Sequence, residues 1–380
     1  MKKFFVISAA ALVALAACTK TEVANTTPDK AITFQVANYA SQTQTKADDS
    51  HGHISLITDE GIDHFTTNAY YHTEGYTTQG FMVDQVIEWR SATSEWAPQG
   101  REYYWPKTGY INFFSYAGTQ NPDTKAEGSI TYTNKTIATT DNILVADAAY
   151  GYSQSNPSAI HALDGVTAGV PTLFNHVLAK VLFDVVIDAT AISDANYSYK
   201  ATINNAKLNY RNQGSLTINF AAPDFSSTVT PQTVAGNTTG IQWVAAGTNV
   251  DLAQDSADIE VEAAAGAVTA TPVTLISESA VLPQDIDATD VTFEMVYVFE
   301  STYDDGVNPA NTVTETVTVP ATALYDAAAV AASLAPSITA WNMNTIYKYH
   351  IIIKPNEPIR FDPAVVTWAV VESANTELNL

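Results

Sequence analysis

Short runs of alternating apolar and polar residues recur along most of this chain. Val, Ile, Thr, Tyr and Phe fill the runs, whereas Gly, Pro, Asn, Asp and Ser stand between them, as is typical of strands joined by turns. The predicted strands are residues 32–37, 82–89, 110–116, 130–137, 173–187, 203–210, 216–220, 259–262, 291–299, 313–319, 347–353 and 365–371. This pattern predicts an all-β protein.

The longest run, residues 173–187, predicts a single strand with one core face and one partly solvated face. The core face carries Leu173, Val177, Ala179, Val181, Phe183, Val185 and Ile187. The opposite face carries His176, Lys180 and Asp184, and Asp188 continues it. Only residues 326–334 favour a helix, because they are rich in alanine, begin at Asp326 and precede Pro336.

A small, polar stretch follows the long strand at residues 188–197 and predicts a domain boundary near residue 190. The chain is long enough for two domains, which we expect at residues 31–190 and 191–380 as two tandem β-sandwiches. Residues 18–30 are polar, contain Pro28 and lack an apolar period, which is typical of a flexible tether.

The N-terminal segment resembles a bacterial lipoprotein signal. Lys2 and Lys3 precede an apolar run at residues 4–14 that is too short for a permanent membrane span, so residues 1–17 are predicted to be a removed signal peptide. Ala16 and Ala17 lead into Cys18, the position at which a lipobox cysteine accepts its lipid. Because Cys18 is the only cysteine of the chain, the sequence predicts neither disulfides nor a thiolate metal site.

Composition excludes one class of partner. The chain has 17 Lys and Arg residues against 40 Asp and Glu residues, a formal net charge of -23 that repels nucleic-acid phosphates. We therefore expect no nucleic-acid partner and a highly soluble, acidic surface.

The familiar catalytic motifs are absent from the sequence, including the nucleophile elbow, the zinc-protease motif, the phosphate-binding loop and the dinucleotide fingerprint. We predict that the protein is not an enzyme and needs no cofactor. A glycosidase-like carboxylate pair stays open, because carboxylates are too numerous for any one pair to stand out.

Two polar clusters are weak metal candidates. Residues 48–64 contain His51, His53 and His64 among acidic side chains, but they lack a fixed ligand spacing, so an acidic loop is the preferred interpretation. Residues 304–306 are Asp-Asp-Gly, for which a turn is the preferred interpretation and a calcium loop is the alternative.

A series of aromatic blocks resembles the fimbrillin-like family, the subunits of type V pili in Gram-negative gut and oral anaerobes. The blocks are Trp89 with 103–106 (Tyr-Tyr-Trp-Pro) and 111–116 (Ile-Asn-Phe-Phe-Ser-Tyr), 141–146, 174–181, 281–284 (Val-Leu-Pro-Gln), 341–342, 347–349, 359–361 and 366–368. These blocks stand in the family's order along nearly the whole chain after the tether.

The resemblance implies two transthyretin-like β-sandwiches, partnership with other fimbrial subunits by strand addition, and a location at the outer membrane or in a surface fimbrium. Residues 31–37 have the pattern of a strand with Ile32, Phe34 and Val36 on its buried side. The resemblance also implies a protease cut, which we expect after Lys46, that frees this strand and the lipid on Cys18 together. Lys30 is the alternative cut site, but cleavage there leaves the strand attached.

The best candidate for an exchanged donor strand is residues 365–371, where Val366, Trp368 and Val370 share a bulky face. Only residues 369–380 follow Trp368, which makes the donor short for a stalk role and favours a tip or terminal subunit. The alternative function is a surface glycan-binding lipoprotein that does not polymerise, because an acidic, aromatic, β-rich chain also suits sugar binding.

Overall fold

A computed structural model describes residues 31–38, 62–73, 79–93, 95–154, 169–225, 228–286, 291–324, 338–355 and 360–367. Twenty strands and no helix occupy these ranges, so this part of the chain is all-β, in agreement with the sequence pattern. The helix predicted at residues 326–334 lies outside the described residues. Within the described ranges, no helix has the length and apolar content needed to cross a bilayer.

The first eleven strands precede residue 190. They are β1 Phe34–Asn38, β2 His64–His72, β3 Gln79–Arg90, β4 Glu95–Pro98, β5 Tyr110–Gly118, β6 Thr124–Ala126, β7 Ser129–Thr136, β8 Ile143–Ala146, β9 Ala148–Tyr152, β10 Val170–His176 and β11 Ala179–Ile187.

The remaining nine strands follow residue 190. They are β12 Tyr197–Asn219, β13 Gln232–Val234, β14 Val244–Ala253, β15 Ile259–Ala264, β16 Val273–Val281, β17 Thr292–Tyr303, β18 Asn311–Ala323, β19 Thr345–Ile353 and β20 Arg360–Thr367.

These strands form three sheets. The largest has the order β13-β9-β5-β2-β3-β4-β1-β10-β8, and an additional pairing joins β5 to β8. That pairing closes a circuit through β1, β4, β3, β2, β5, β8 and β10, which we call the seven-strand ring. A second sheet has the order β16-β11-β19-β20, and a third has the order β18-β17-β12-β7-β6, with β14 and β15 also paired to β12.

The single strand predicted at residues 173–187 is wrong, because two strands occupy this stretch. β10 lies in the seven-strand ring, and β11 lies in the four-stranded sheet. The chain changes sheets at Val177 and Leu178, and since both side chains are fully buried the alternation of faces is interrupted there. His176 is consequently buried rather than partly solvated, whereas Lys180 and Asp184 are half-buried.

Three clusters of buried side chains form the core. The first fills the ring, and the second lies between the four-stranded sheet and the third sheet, where Phe183 of β11 stacks on Phe293 of β17 at 5.0 Å. The third contains Phe114 and Tyr132 together with Leu216 and Trp243, so it joins residues from both sides of position 190. The domain division near 190 and the transthyretin-like sandwiches stay predictions.

Candidate functional site

The first described strand, β1, lies inside the largest sheet rather than at an edge. It stands between β4 and β10, and we call this position the β1 slot. Ile32, Phe34 and Val36 are buried, with 1%, 4% and 1% of their surfaces exposed. Thr33 and Gln35, on the alternate face, are half-buried. The three apolar side chains from which the sequence predicts this strand therefore lie in the interior of the ring.

The two sides of the β1 slot hold the strand unequally. β1 runs parallel to β10 through five register pairs, from Phe34 opposite Val170 to Asn38 opposite Phe174. It meets β4 antiparallel through one pair, Phe34 opposite Trp96. Backbone hydrogen bonds extend the contact, because Ile32 donates to the Tyr103 carbonyl and Val170 donates to the Thr33 carbonyl, both at 2.8 Å.

An aromatic cage surrounds Phe34. Its ring meets Phe65 and Phe113 edge-on, with 5.6 Å between ring centres in each pair. Phe65 in turn contacts Trp96 and Phe174 at 5.5 Å and 5.4 Å. Burying a side chain of this size stabilises a fold by about 1.5–3 kcal/mol. Removing β1 without a replacement would expose the cage to water and open the ring.

Gly169, directly before β10, lets the backbone of β1 pass close to β10. A Cβ atom at this position would lie 2.7 Å from the Phe34 carbonyl carbon and 2.9 Å from its Cα. Backbone atoms cannot rotate away as a flexible side chain can, so only glycine fits while β1 is present. The sequence pattern gave no indication of this role, because Gly169 precedes the apolar run and resembles an ordinary strand boundary.

A buried carboxyl group supports β10 from the side facing away from β1. Asp147 lies between β8 and β9, and its backbone N–H donates to the Leu173 carbonyl at 2.8 Å. Its side chain accepts a 2.9 Å hydrogen bond from Asn175 Nδ2. Burial raises the pKa of Asp147 to about 6, since desolvation disfavours the charged form more than the Asn175 hydrogen bond stabilises it.

The other residues singled out in the sequence are not brought to the β1 slot. Val366 lies in β20, opposite Ile346 at the edge of the four-stranded sheet. Cys18, Lys46, Trp368 and Val370 lie outside the described residues. β20 begins at Arg360, five residues before the predicted start at 365. The sequence pattern missed these residues because they include Pro363, which has no N–H to donate to a neighbouring strand. A strand at the edge of a sheet tolerates that missing N–H.

The two weak metal candidates have ordinary polar contacts where they are described. Asp305 Oδ1 accepts backbone hydrogen bonds from Val307 and Asn308 at 2.9 Å and 2.8 Å, which is the geometry of a turn. His64 Nδ1 lies 2.6 Å from Asp63 Oδ1, and residues 48–61 are outside the described ranges. Among the described residues, no three His, Cys, Asp or Glu side chains form a group able to hold a metal ion.

Fold and site together define an all-β protein in which the first described strand completes a closed ring around an aromatic core. A family model described as fimbrillin-like matches residues 39–368 of this chain. The chain therefore belongs to the fimbrillin-like family, as the aromatic blocks indicated.

Solved structures similar to this chain share little sequence with it. A putative cell adhesion protein from Bacteroides uniformis is 15% identical, with a TM-score of 0.41, and the match covers 81% of this chain and 92% of that one. The tip fimbrial protein Mfa3 from Porphyromonas gingivalis is 11% identical (TM-score 0.34; 89% and 100% covered), and the fimbrial anchor protein Mfa2 is 10% identical (TM-score 0.24; 89% and 96% covered). No curated protein matches the chain.

Proposed function

We propose that this chain is a structural and adhesive subunit of a cell-surface fimbria, exported as a lipoprotein precursor and assembled by proteolysis-triggered strand exchange. Membership of the fimbrillin-like family supports the fimbrial role. The observation that carries the mechanism is the placement of β1, which fills an interior slot of the seven-strand ring while belonging to the N-terminal end of the described chain.

In this proposal the precursor is delivered to the outer membrane by residues 1–17 and tethered through a lipid on Cys18. Cleavage after Lys46 separates both the lipid and β1 from the rest of the chain. β1 is then held only by non-covalent contacts, and another strand that offers apolar side chains at alternate positions can replace it in the β1 slot. The ring opens only transiently, because the entering strand covers the aromatic cage again.

The donor strand in this proposal comes from the C-terminal end of another copy or another fimbrial subunit. Val366, Trp368 and Val370 would point into the slot as Ile32, Phe34 and Val36 do. Val366 belongs to β20, which pairs with β19 alone among the residues that the structure describes, so donation requires this edge strand to leave one partner. An edge strand detaches at a lower cost in hydrogen bonds than an interior strand, which makes β20 suited to exchange.

The test is digestion of the purified precursor with a Lys-specific protease, followed by mass spectrometry and light scattering. We expect a chain beginning at Ala47, loss of the peptide that contains residues 31–38, and growth of species larger than the monomer. Lys46→Gln should stay monomeric, whereas the matched control Lys30→Gln should assemble normally. Assembled material with an uncut Lys46, or a cut chain that keeps the first-strand peptide and remains monomeric, contradicts the mechanism.

A further inference from the structure

An open cavity of about 470 Å³ lies where the end of β2 meets the start of β5. It is lined by His72, Thr73, Thr108, Gly109, Tyr110 and Val229. None of these residues belongs to the β1 slot or to the candidate donor strand. The lining combines two aromatic rings and one aliphatic side chain with the hydroxyl groups of two threonines and one tyrosine, so it offers both apolar surface and hydrogen-bonding groups.

The aromatic part of the cavity is rigid. His72 ends β2, Tyr110 begins β5, and the two residues are register partners in the sheet. Their rings stack at 5.0 Å between centres with an angle of 6° between planes. Phe225 packs edge-on against Tyr110 at 5.3 Å. A ring held on a strand by two aromatic neighbours keeps its orientation without a bound ligand, which lowers the entropic cost of binding.

Hydrogen bonds fix the imidazole as well. Glu127 Oε1 lies 2.6 Å from His72 Nε2 and accepts a 2.8 Å bond from Asn112 Nδ2. Asn112 Oδ1 in turn accepts the backbone N–H of Gly151 at 2.9 Å. In the tautomer that carries its proton on Nε2, His72 donates to Glu127 and its Nδ1 can accept a hydrogen bond from a hydroxyl group.

Gly109 brings the chain close to β2 beside this stack. Its φ is +75°, and a Cβ atom would lie 2.0 Å from the His72 carbonyl oxygen. A side chain is therefore excluded on both conformational and steric grounds. Thr108, which precedes Gly109, and Thr73, which follows His72, both line the cavity.

We propose that this cavity is a binding site for a neutral saccharide. A sugar ring presents C–H groups, which pack on aromatic and aliphatic surface, and a rim of hydroxyls, which bond to threonine, imidazole and backbone groups. Acidic sugars fit poorly, because the Glu127 carboxyl lies 2.6 Å from His72 Nε2 and the chain carries a formal charge of -23. The site gives the subunit an adhesive activity of its own, and it does not depend on strand exchange, since one unassembled chain contains every lining residue.

The test uses saturation-transfer NMR on the purified, unprocessed full chain with the methyl glycosides of galactose, glucose, mannose and N-acetylglucosamine. We expect at least one glycoside to receive signal from the protein. Tyr110→Ala should weaken that binding by roughly tenfold or more, because it removes the ring that anchors the stack. Tyr104→Ala is the matched control, since Tyr104 is 44% exposed and lies outside the cavity.

Thr108→Arg provides a second variant that leaves the core untouched, because Thr108 is exposed and its larger replacement fills the cavity mouth. Loss of binding in Thr108→Arg with retention in Tyr104→Ala supports the site. The proposal is overturned if none of the four glycosides binds the wild-type chain, or if the Thr108→Arg chain binds as strongly as the wild type. Because the chain is uncut and monomeric in this assay, a failure of strand exchange leaves the result unaffected.

Discussion

At Gly169, the space that a side chain would need is filled by the backbone of β1. The nearest atoms to a Cβ there are the Phe34 carbonyl carbon, the Phe34 Cα and the Gln35 nitrogen, all within 3.0 Å. The residue thus reports on the occupancy of the β1 slot, because its tolerance to substitution depends on whether β1 is bound.

Gly169→Ala should destabilise the precursor by about 1–3 kcal/mol, the usual cost of overpacking a rigid contact. The measurement is the free energy of unfolding in denaturant, together with the rate at which a protease cuts within residues 31–38. Gly80→Ala is the matched control, since its Cβ would meet only the Val83 side chain, which is 70% exposed. Equal losses in the two variants would show that β1 does not constrain position 169.

Asp147 should make the protein less stable as pH rises. Burial raises its pKa to about 6 in the folded state, against about 3.9 for an unfolded aspartate. The folded state therefore binds the proton more tightly, so this contribution to stability is fully present below about pH 4 and is lost as pH rises through about 6. Above that range the contribution is constant.

The measurement is the free energy of unfolding between pH 4 and pH 8 for the wild type and for Asp147→Asn, which can still accept the Asn175 hydrogen bond but does not titrate. We expect the wild-type value minus the variant value to fall from pH 4 to about pH 7 and then to level off. A difference that is independent of pH would mean that the carboxyl titrates equally in both states.

At the scale of the elements, strands with one buried face could be predicted from alternation alone. β11 and β17 are examples, because each alternates buried and half-buried positions over its core-facing part. Alternation fails where a strand changes environment. β12 runs from Tyr197 to Asn219, whereas the sequence predicted two strands, because Gly214 and its polar neighbours resemble a turn. In the structure, Gly214 lies inside the strand, where a Cβ atom on it would lie 2.9 Å from the Val244 carbonyl oxygen.

The candidate site was only half predictable for a similar reason. Ile32, Phe34 and Val36 are apolar residues at alternate positions, and this pattern within six residues predicts a strand with a buried face. The slot that receives them is built from β4 and β10, far apart in sequence, and neither Gly169 nor the parallel pairing to β10 has a local signature. Pairing between strands that are distant in sequence depends on tertiary packing, so it cannot be predicted from a short stretch of sequence.

At the scale of the whole molecule, the third core cluster connects the two predicted domains. Trp243, after residue 190, is buried and donates a 2.6 Å hydrogen bond from Nε1 to the Val177 carbonyl, at the point where the chain passes from β10 to β11. It also contacts Tyr132 of β7 at 6.3 Å. We expect this contact to couple the unfolding of the residues on either side.

Trp243→Ala should lower stability by about 3–5 kcal/mol and separate one unfolding transition into two. Trp243→Phe keeps most of the volume and leaves the Val177 carbonyl without this donor, so a smaller loss of about 1–3 kcal/mol and a single transition are expected. Scanning calorimetry of both variants distinguishes these outcomes. A single transition in Trp243→Ala would show that the cluster does not provide the coupling.

The length of β12 has a mechanical consequence. Its 23 residues span roughly 75 Å at about 3.3 Å per residue, against a usual strand of five or six residues. Its first half pairs with β15 and β17, which follow it in the chain, and its last residues pair with β7, which precedes residue 190, so a single extended backbone joins these ladders. A pull directed along β12 loads these ladders in shear, with many hydrogen bonds sharing the force at once. A surface filament exposed to flow would gain resistance to tension from such a continuous strand.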